Sequence, residues 1–508
     1  MEFYVLVIAV TWLVFILIVR FMNYPSGGTD HACYYRLTTY IKNNHHRLFM
    51  RFNDYIPLSL YPQGYFVICS FLSKKTLLHN PNFINYVVMF SVVIILNAFV
   101  CLISDFSYIQ IILINSIFIT LPIMYAVWNA KFMGLSARAF GIFLVYLYLF
   151  SFYFYLIGES GLIAFLLIII FSFLCLLSSQ FAFQFVIFSC IFVALVTFHF
   201  EVLLLIPLDI VLLFAVNFSY AKNFFTSQFH HKRNYLKFMI KGCHFQLRYS
   251  IWRDFVYDFW KKQDKAYVLG NPVVEVIIGA MPNCIVLVYF PFSEMLNDYH
   301  TYTLYVLLAT SFFAFWITSL RIGRFLGEPQ RYIEFGIPFA SILSVMVFPS
   351  WLVVIFLFVN IFVLWWYAKN SQHHRQLPEH IKIREELIRY VNSIFNLEFC
   401  HLLSNDNEIA RYFYVSNYDP HVPNYCRYYQ NEEEFLWSYY KGDYHRISPQ
   451  FLASEMKKYK KGILILYTNM LKFYDESEIL PLIDAMHIEH LRTIGKFKIF
   501  KFYKEKEL

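Results

Sequence analysis

The sequence predicts a multi-pass α-helical membrane protein of about 10–12 spans with a small C-terminal α/β soluble domain. Three observations predict it. Of the 508 residues, 59% are apolar, 21% aromatic and only 15% charged, with a mean hydropathy of +0.49. A soluble globular chain carries about 25% charged residues. The apolar residues also come in long unbroken runs, not in the alternating pattern of an outer-membrane barrel strand. Finally, the composition changes near residue 371, after which opposite charges nearly balance. Together these exclude a soluble enzyme, a disordered chain and a membrane β-barrel.

A helix needs about 20 apolar residues to cross the hydrocarbon. Candidate spans cover 3–20, 85–104, 107–127, 139–157, 161–178, 181–198, 201–217, 270–291, 302–320, 335–348 and 351–368. The first carries no small-residue cleavage site after it, so it reads as a retained span, not a removed leader. Two runs are longer than one crossing. Residues 184–217 are broken only by His199 and Glu201, and 335–368 by Pro349. Each fits a tight hairpin of two short spans or a tilted helix with a re-entrant piece. The stretch Gly64–Leu72 is too short to cross and suits a helix lying at the interface.

Two polar loops interrupt the membrane domain of residues 1–370. The first spans 21–84 and the second 218–265. The second is basic, as in His230-His231-Lys232-Arg233, and the positive-inside rule draws it to the cytoplasm. Eleven spans counted from a cytoplasmic N-terminus put it outside, which implies that one span is misassigned. In the domain of residues 371–508, Ile381–Phe395 has helical periodicity. Gly462–Tyr467 reads as a buried strand and Phe497–Tyr503 as an alternating one.

The net charge is +8 and the pI 8.8, which lysines and arginines flanking membrane spans explain without a nucleic-acid partner. None of the nine cysteines forms a Cys-x-x-Cys pair, so neither a disulfide framework nor a zinc site is expected. No Walker loop, dinucleotide fingerprint or internal repeat is present.

Four segments carry residues suited to chemistry. The loop after the first span reads Gly27-Gly28-Thr29-Asp30-His31-Ala32, then Tyr34, Tyr35 and Arg36. An acid behind two glycines at a bilayer surface can act as general base on a hydroxyl. The plain alternative is a solvated Asp capping a helix that starts near Ala32. Next comes Tyr61-Pro62-Gln63-Gly64-Tyr65-Phe66, with Pro suited to a helix start. The third holds Lys131 and Ser136-Ala137-Arg138-Ala139-Phe140. The fourth runs from Arg321 through Glu328, Arg331 and Tyr332 to Glu334. Arginine offers a planar fork of donors to phosphate oxygens; anchoring of the loop by positive charge is the plainer role. His199, Glu201, Asp209 and Glu275 lie inside apolar runs, where ionisable groups are costly and lean towards function. In the tail, Leu402–Glu408 and Tyr467-Thr468-Asn469 sit at expected strand ends, where turn chemistry suffices to explain them.

In this order the four segments resemble the GT-C-type integral membrane glycosyltransferases, whose donor is a polyprenyl-phosphate-linked sugar. The resemblance covers residues 1–370 by motif order and spacing. It implies that Asp30 is the catalytic acid of the first extracytoplasmic loop, and that Tyr61-Pro62 matches a Pro motif in which Gln63 replaces a second Pro. It implies that Arg138 matches the Arg heading the fourth span and Arg331-Tyr332 the late Arg-Tyr pair. Donor phosphate is then held by Arg331, helped by Arg138 and Lys131, while His31, Tyr61, Tyr332 and Glu328 line the substrate. His31 stands where many members have a second acid; Asp54 is a further candidate. No cofactor is expected. A divalent metal, used by some members, is not favoured, because the acid cluster is thin. The implied partners are a polyprenyl-phosphate-linked sugar, a glycan or lipid acceptor and membrane lipid. The implied setting is the bacterial inner membrane, in cell-envelope glycan biosynthesis. A repeat-unit polymerase, a lipid-linked sugar flippase or transporter, and a membrane scaffold remain alternatives.

Overall fold

The fold comes from a computed structural model, which describes residues 2–22, 29–43, 45–47, 62–80, 82–125, 130–132, 134–159, 161–234, 271–320, 323, 326–371, 378–394, 402–404, 452, 456–457, 461–468 and 487–503. Among them, eight helices are long and apolar enough to cross a membrane: Glu2–Met22, Phe83–Ile103, Tyr108–Tyr125, Ala137–Leu156, Gly161–Ser178, Gln180–Thr197, Tyr299–Ser319 and Ser350–Lys369. A ninth crossing is broken. Pro272–Gly279 and Met281–Phe292 meet at an angle of 84°. Two shorter apolar helices, Leu205–Val216 and Ile337–Val347, complete the set. Each of the eleven candidate segments thus contains a helix among its described residues, and the chain is a multi-pass membrane protein by length and composition.

Both long runs resolve as hairpins. The first helix of the 184–217 run stops at Phe198, whose φ of 62° is left-handed and breaks the helical path. The chain then tightens through Phe200–Leu204 before Leu205–Val216. His199 and Glu201 pair at 2.6 Å at this turn with exposed side chains, so they mark a span end and line no interior cavity. The second run turns at Phe348-Pro349. Proline lacks the N–H that would continue the ladder.

Contacts show which helix ends lie together. Tyr299 Oη donates to Leu156 O at 2.8 Å, and Phe3 lies 4.2 Å from Tyr108 and Tyr289 5.0 Å from Phe348, ring centre to ring centre. These sit at one end, where the connections are short. The other end gathers the described parts of the longer connections, among them 29–43, 62–80, 130–132, 134–136, 218–234 and 326–336. The five short connections hold Asp105, Glu159, Glu201, Glu294 and Asp298 and no Lys or Arg. Among the described residues, every Lys and Arg outside the tail lies in or within a turn of the segments at the loop-rich end. With eleven crossings, charge and span count agree only if the N-terminus lies on the side opposite to the cytoplasm.

Polar side chains join the helices where hydrocarbon offers no other partner. Asn97 and Asn115 exchange two amide hydrogen bonds, at 2.9 and 3.0 Å, between Phe83–Ile103 and Tyr108–Thr120. Ser107 and Gln110 form a capping box at the start of the second of these.

In the tail, a helix over Pro378–Ile394 packs on a four-stranded sheet. We number the strands β1 (Leu402–Ser404), β2 (Lys461–Tyr467), β3 (His487–Ile494) and β4 (Phe497–Tyr503), in the order β1-β2-β4-β3. β1 and β2 are parallel and the other pairs antiparallel, with Ile465 opposite Ile499. Ile463 and Ile465 face Leu387 and Val391 of the helix, while Leu464 and Phe502 meet Leu452 and Met456 on the other face. Burial on both faces explains why β2 is an unbroken apolar run.

Candidate active site

The site is built around a 3-10 turn over Pro329–Gly336 at the loop-rich end. The chain enters it through Gly327, whose φ of 109° favours glycine and where a Cβ would come within 2.7 Å of the Phe181 ring. It leaves through Gly336, whose added Cβ would lie 2.4 Å from Ser311 Oγ. The turn is therefore pressed against the helix Tyr299–Ser319 with no room for a side chain at its end.

Glu334 is the centre of the arrangement. Its carboxylate pairs with Lys131, and both side chains are buried, at 6% and 1% exposure. Its backbone oxygen accepts from Tyr146 Oη at 2.8 Å, so the turn is also held independently of the charge. Burial pushes the Glu334 carboxyl up, towards its neutral form, against the opposing pull of Lys131, Arg138 and Arg331. Burial likewise pushes the Lys131 ammonium down, opposed by Glu334. Lys131, Arg138 and Arg331 thus converge on one carboxylate from two chain segments, with Lys131 and Glu334 203 positions apart.

Arg331 has a different setting from Lys131. Its guanidinium pairs with Glu328 at 2.8 Å and lies 4.9 Å from the ring centre of Phe181. Tyr332 is fully buried, and its hydroxyl donates to Leu326 O at 3.2 Å. With the Gln184 amide turned so that its nitrogen donates to Tyr332 Oη at 2.7 Å, its oxygen accepts from Lys232 Nζ at 2.9 Å. Burial lowers the Lys232 pKa to about 8. On the turn's other flank Gln330 Nε2 donates to Glu275 Oε2 at 3.3 Å. Glu275 lies in the broken crossing and within electrostatic reach of Arg331, Glu334 and Glu328.

Asp30 and His31 are the second and third residues of the helix Thr29–Asn43. The helix starts earlier than Ala32, so Asp30 lies in its first turn and not before it. Tyr35, Leu37 and Ile41 of this helix share a core with Tyr65, Phe66 and Leu135, so it is anchored near the segment that carries Arg138. Tyr61 and Asp54 lie outside the described residues. Pro62 precedes the short helix Gly64–Ser70, whose first turn begins two residues later.

Sequence reasoning had assigned no role here to Lys232, Gln184, Gln330 or Phe181. Gln184 carried a usable signal, a polar side chain inside an apolar run, and Lys232 lay in a basic run explained by flanking charge alone. Phe181 carried none. Among the described residues, no group of three or more His, Cys, Asp or Glu is placed to hold a metal ion. Compared with known protein families and with curated proteins, the chain matches none.

Proposed function

We propose that the loop-rich end is the active site of a membrane glycosyltransferase that moves a sugar from a polyprenyl-phosphate donor to a cell-surface glycan or lipid acceptor. One observation carries this reading: Arg331, Arg138 and Lys131 gather around Glu334, and the helix that holds Asp30 packs through Tyr35, Leu37 and Ile41 in a core with Leu135, next to Arg138 in sequence. Lys131 is buried, whereas Arg331 and Arg138 are both partly accessible; of these Arg331, held over Phe181, takes the donor phosphate, with Arg138 beside it. Lys131 is committed to Glu334 and positions the turn that presents Arg331. In the transfer, the acceptor oxygen forms a bond to the anomeric carbon and the bond from that carbon to the phosphate oxygen breaks. The acceptor proton passes to Asp30, and the phosphate leaves as an anion stabilised by Arg331.

The test is Asp30→Asn in cells lacking the wild-type copy, at matched membrane abundance. Loss of one glycan addition, with accumulation of its lipid-linked donor, is expected. Unchanged glycans would remove Asp30 from the mechanism.

A second reading, a lipid-linked sugar flippase or transporter, is favoured by the broken crossing at Ala280, a feature of transporter sites. The charge asymmetry adds to it. Taken alone, the positive-inside rule assigns the loop-rich end to the cytoplasm, whereas transferases of the resembled type act on the other side. A flippase keeps its activity in the Asp30→Asn variant and loses it when the break at Ala280 is straightened.

A further inference from the structure

Arg331, the cation to which the proposed function assigns the donor phosphate, already holds an anion. Glu328 Oε2 sits 2.8 Å from Arg331 Nη2. The two ends of this pair are anchored differently. Arg331 is 15% exposed and its guanidinium lies over Phe181, so its position does not depend on Glu328 alone. Glu328 is 33% exposed and directly follows Gly327, whose left-handed φ of 109° lets the chain turn sharply there. Glu334, the other acid of the turn, is buried against Lys131, at 6% exposure.

We propose that Glu328 is a resident counter-anion of Arg331, displaced when a lipid phosphate binds, and that it weakens and filters phosphate binding at this site. This rests on the proposed function. A phosphate takes over both donors of the guanidinium fork, while Phe181 keeps that fork in place. Glu328 then turns towards water and its charge stays near the bound phosphate. The competition penalises weakly held anions and lets only a ligand with a second hold, such as a prenyl chain in the bilayer, occupy Arg331.

The experiment uses the full chain in detergent micelles, with farnesyl phosphate as probe and free inorganic phosphate as the chainless comparison. Glu328→Gln is expected to tighten farnesyl phosphate binding roughly three- to fivefold, the scale of a partly exposed ion pair, and to narrow the preference over inorganic phosphate. Glu328→Asp keeps the charge and stays near wild type. Arg331→Ala loses the binding. In turnover the Glu328→Gln effect is read as a lowered donor KM that Glu328→Asp restores to the wild-type value, which a merely structural defect would not do. If Arg331→Ala abolishes binding but Glu328→Gln leaves it unchanged or weaker, the counter-anion role is wrong and the phosphate site stands. If wild type does not bind the probe, or Arg331→Ala binds it equally well, the phosphate site itself is wrong.

Discussion

Removing one member of the Lys131–Glu334 pair leaves a charge that the bundle cannot hydrate, since neither side chain is more than 6% exposed. Breaking such a pair costs about 3–5 kcal/mol. The two single variants are not equivalent. Glu334→Gln leaves Lys131 buried beside Arg138 with its anion gone, so the full cost of about 4 kcal/mol applies. Lys131→Met leaves Glu334 facing Arg138 and Arg331, which retain part of the compensation, and about 2 kcal/mol is expected. Tyr146 still anchors the turn through the Glu334 backbone in all variants, so the comparison isolates the charge. The double variant removes both charges and should recover more than about 4 of the roughly 6 kcal/mol of summed losses. Heat-induced loss of the monodisperse peak of detergent-solubilised protein ranks the four proteins: Glu334→Gln least stable, then Lys131→Met, then the double variant, then wild type. A Glu334→Gln protein as stable as wild type, or a double variant whose loss equals the sum of the singles, would refute the buried-pair argument.

Two further outcomes follow from the same face. Lys232 is held at a pKa of about 8 by burial, below the ordinary lysine value, so its charge is lost as pH rises through about 8. Farnesyl phosphate binding should weaken between pH 7 and 9, and Lys232→Arg should abolish that weakening; a profile unchanged by the substitution separates Lys232 from the ligand. The linked stability effect has the opposite sign. Between about 8 and the unfolded lysine value the unfolded chain binds the extra proton, so Lys232 makes folding relatively more favourable as pH rises in that window. As for topology, cysteines at 30, 331 and 508 should be labelled from one side of the membrane and cysteines at 105, 159 and 298 from the other. Labelling of 30 and 331 from opposite sides would dissolve the shared site.

The bundle was legible because its signals are local. Continuous apolar runs longer than a crossing give the helices, and Pro349 and the His199–Glu201 pair gave the breaks within the two long runs. The strands over 461–467 and 497–503 were legible from their apolar content, while β3 was not, because as an exposed edge strand it carries His487, Glu489, His490 and Arg492. The site was half legible. Arg331, Arg138 and Lys131 announced themselves by charge beside apolar runs. Their meeting at Glu334 could not be read, because it depends on contacts spanning some 200 residues of chain. The 84° break near Ala280 was also hidden, since Pro272–Phe292 is apolar enough to pass for one straight span.

The distribution of charge links the fold to its chemistry. With no Lys or Arg in the short connections, every described cation of the membrane domain stands where it can meet an anion at the loop-rich end. Such an end attracts phosphate headgroups without choosing among them. Choice arises because the innermost cations are already matched, Lys131 by Glu334 and Arg331 by Glu328. The first match is buried and fixed. The second is partly open to water, and in our proposal it is the one that a ligand exchanges. A site that only had to concentrate anionic lipid would gain nothing from Glu328. A site that must hold one lipid phosphate at a fixed distance from an acid, and release it after transfer, gains from a carboxylate that reclaims the guanidinium when the product leaves.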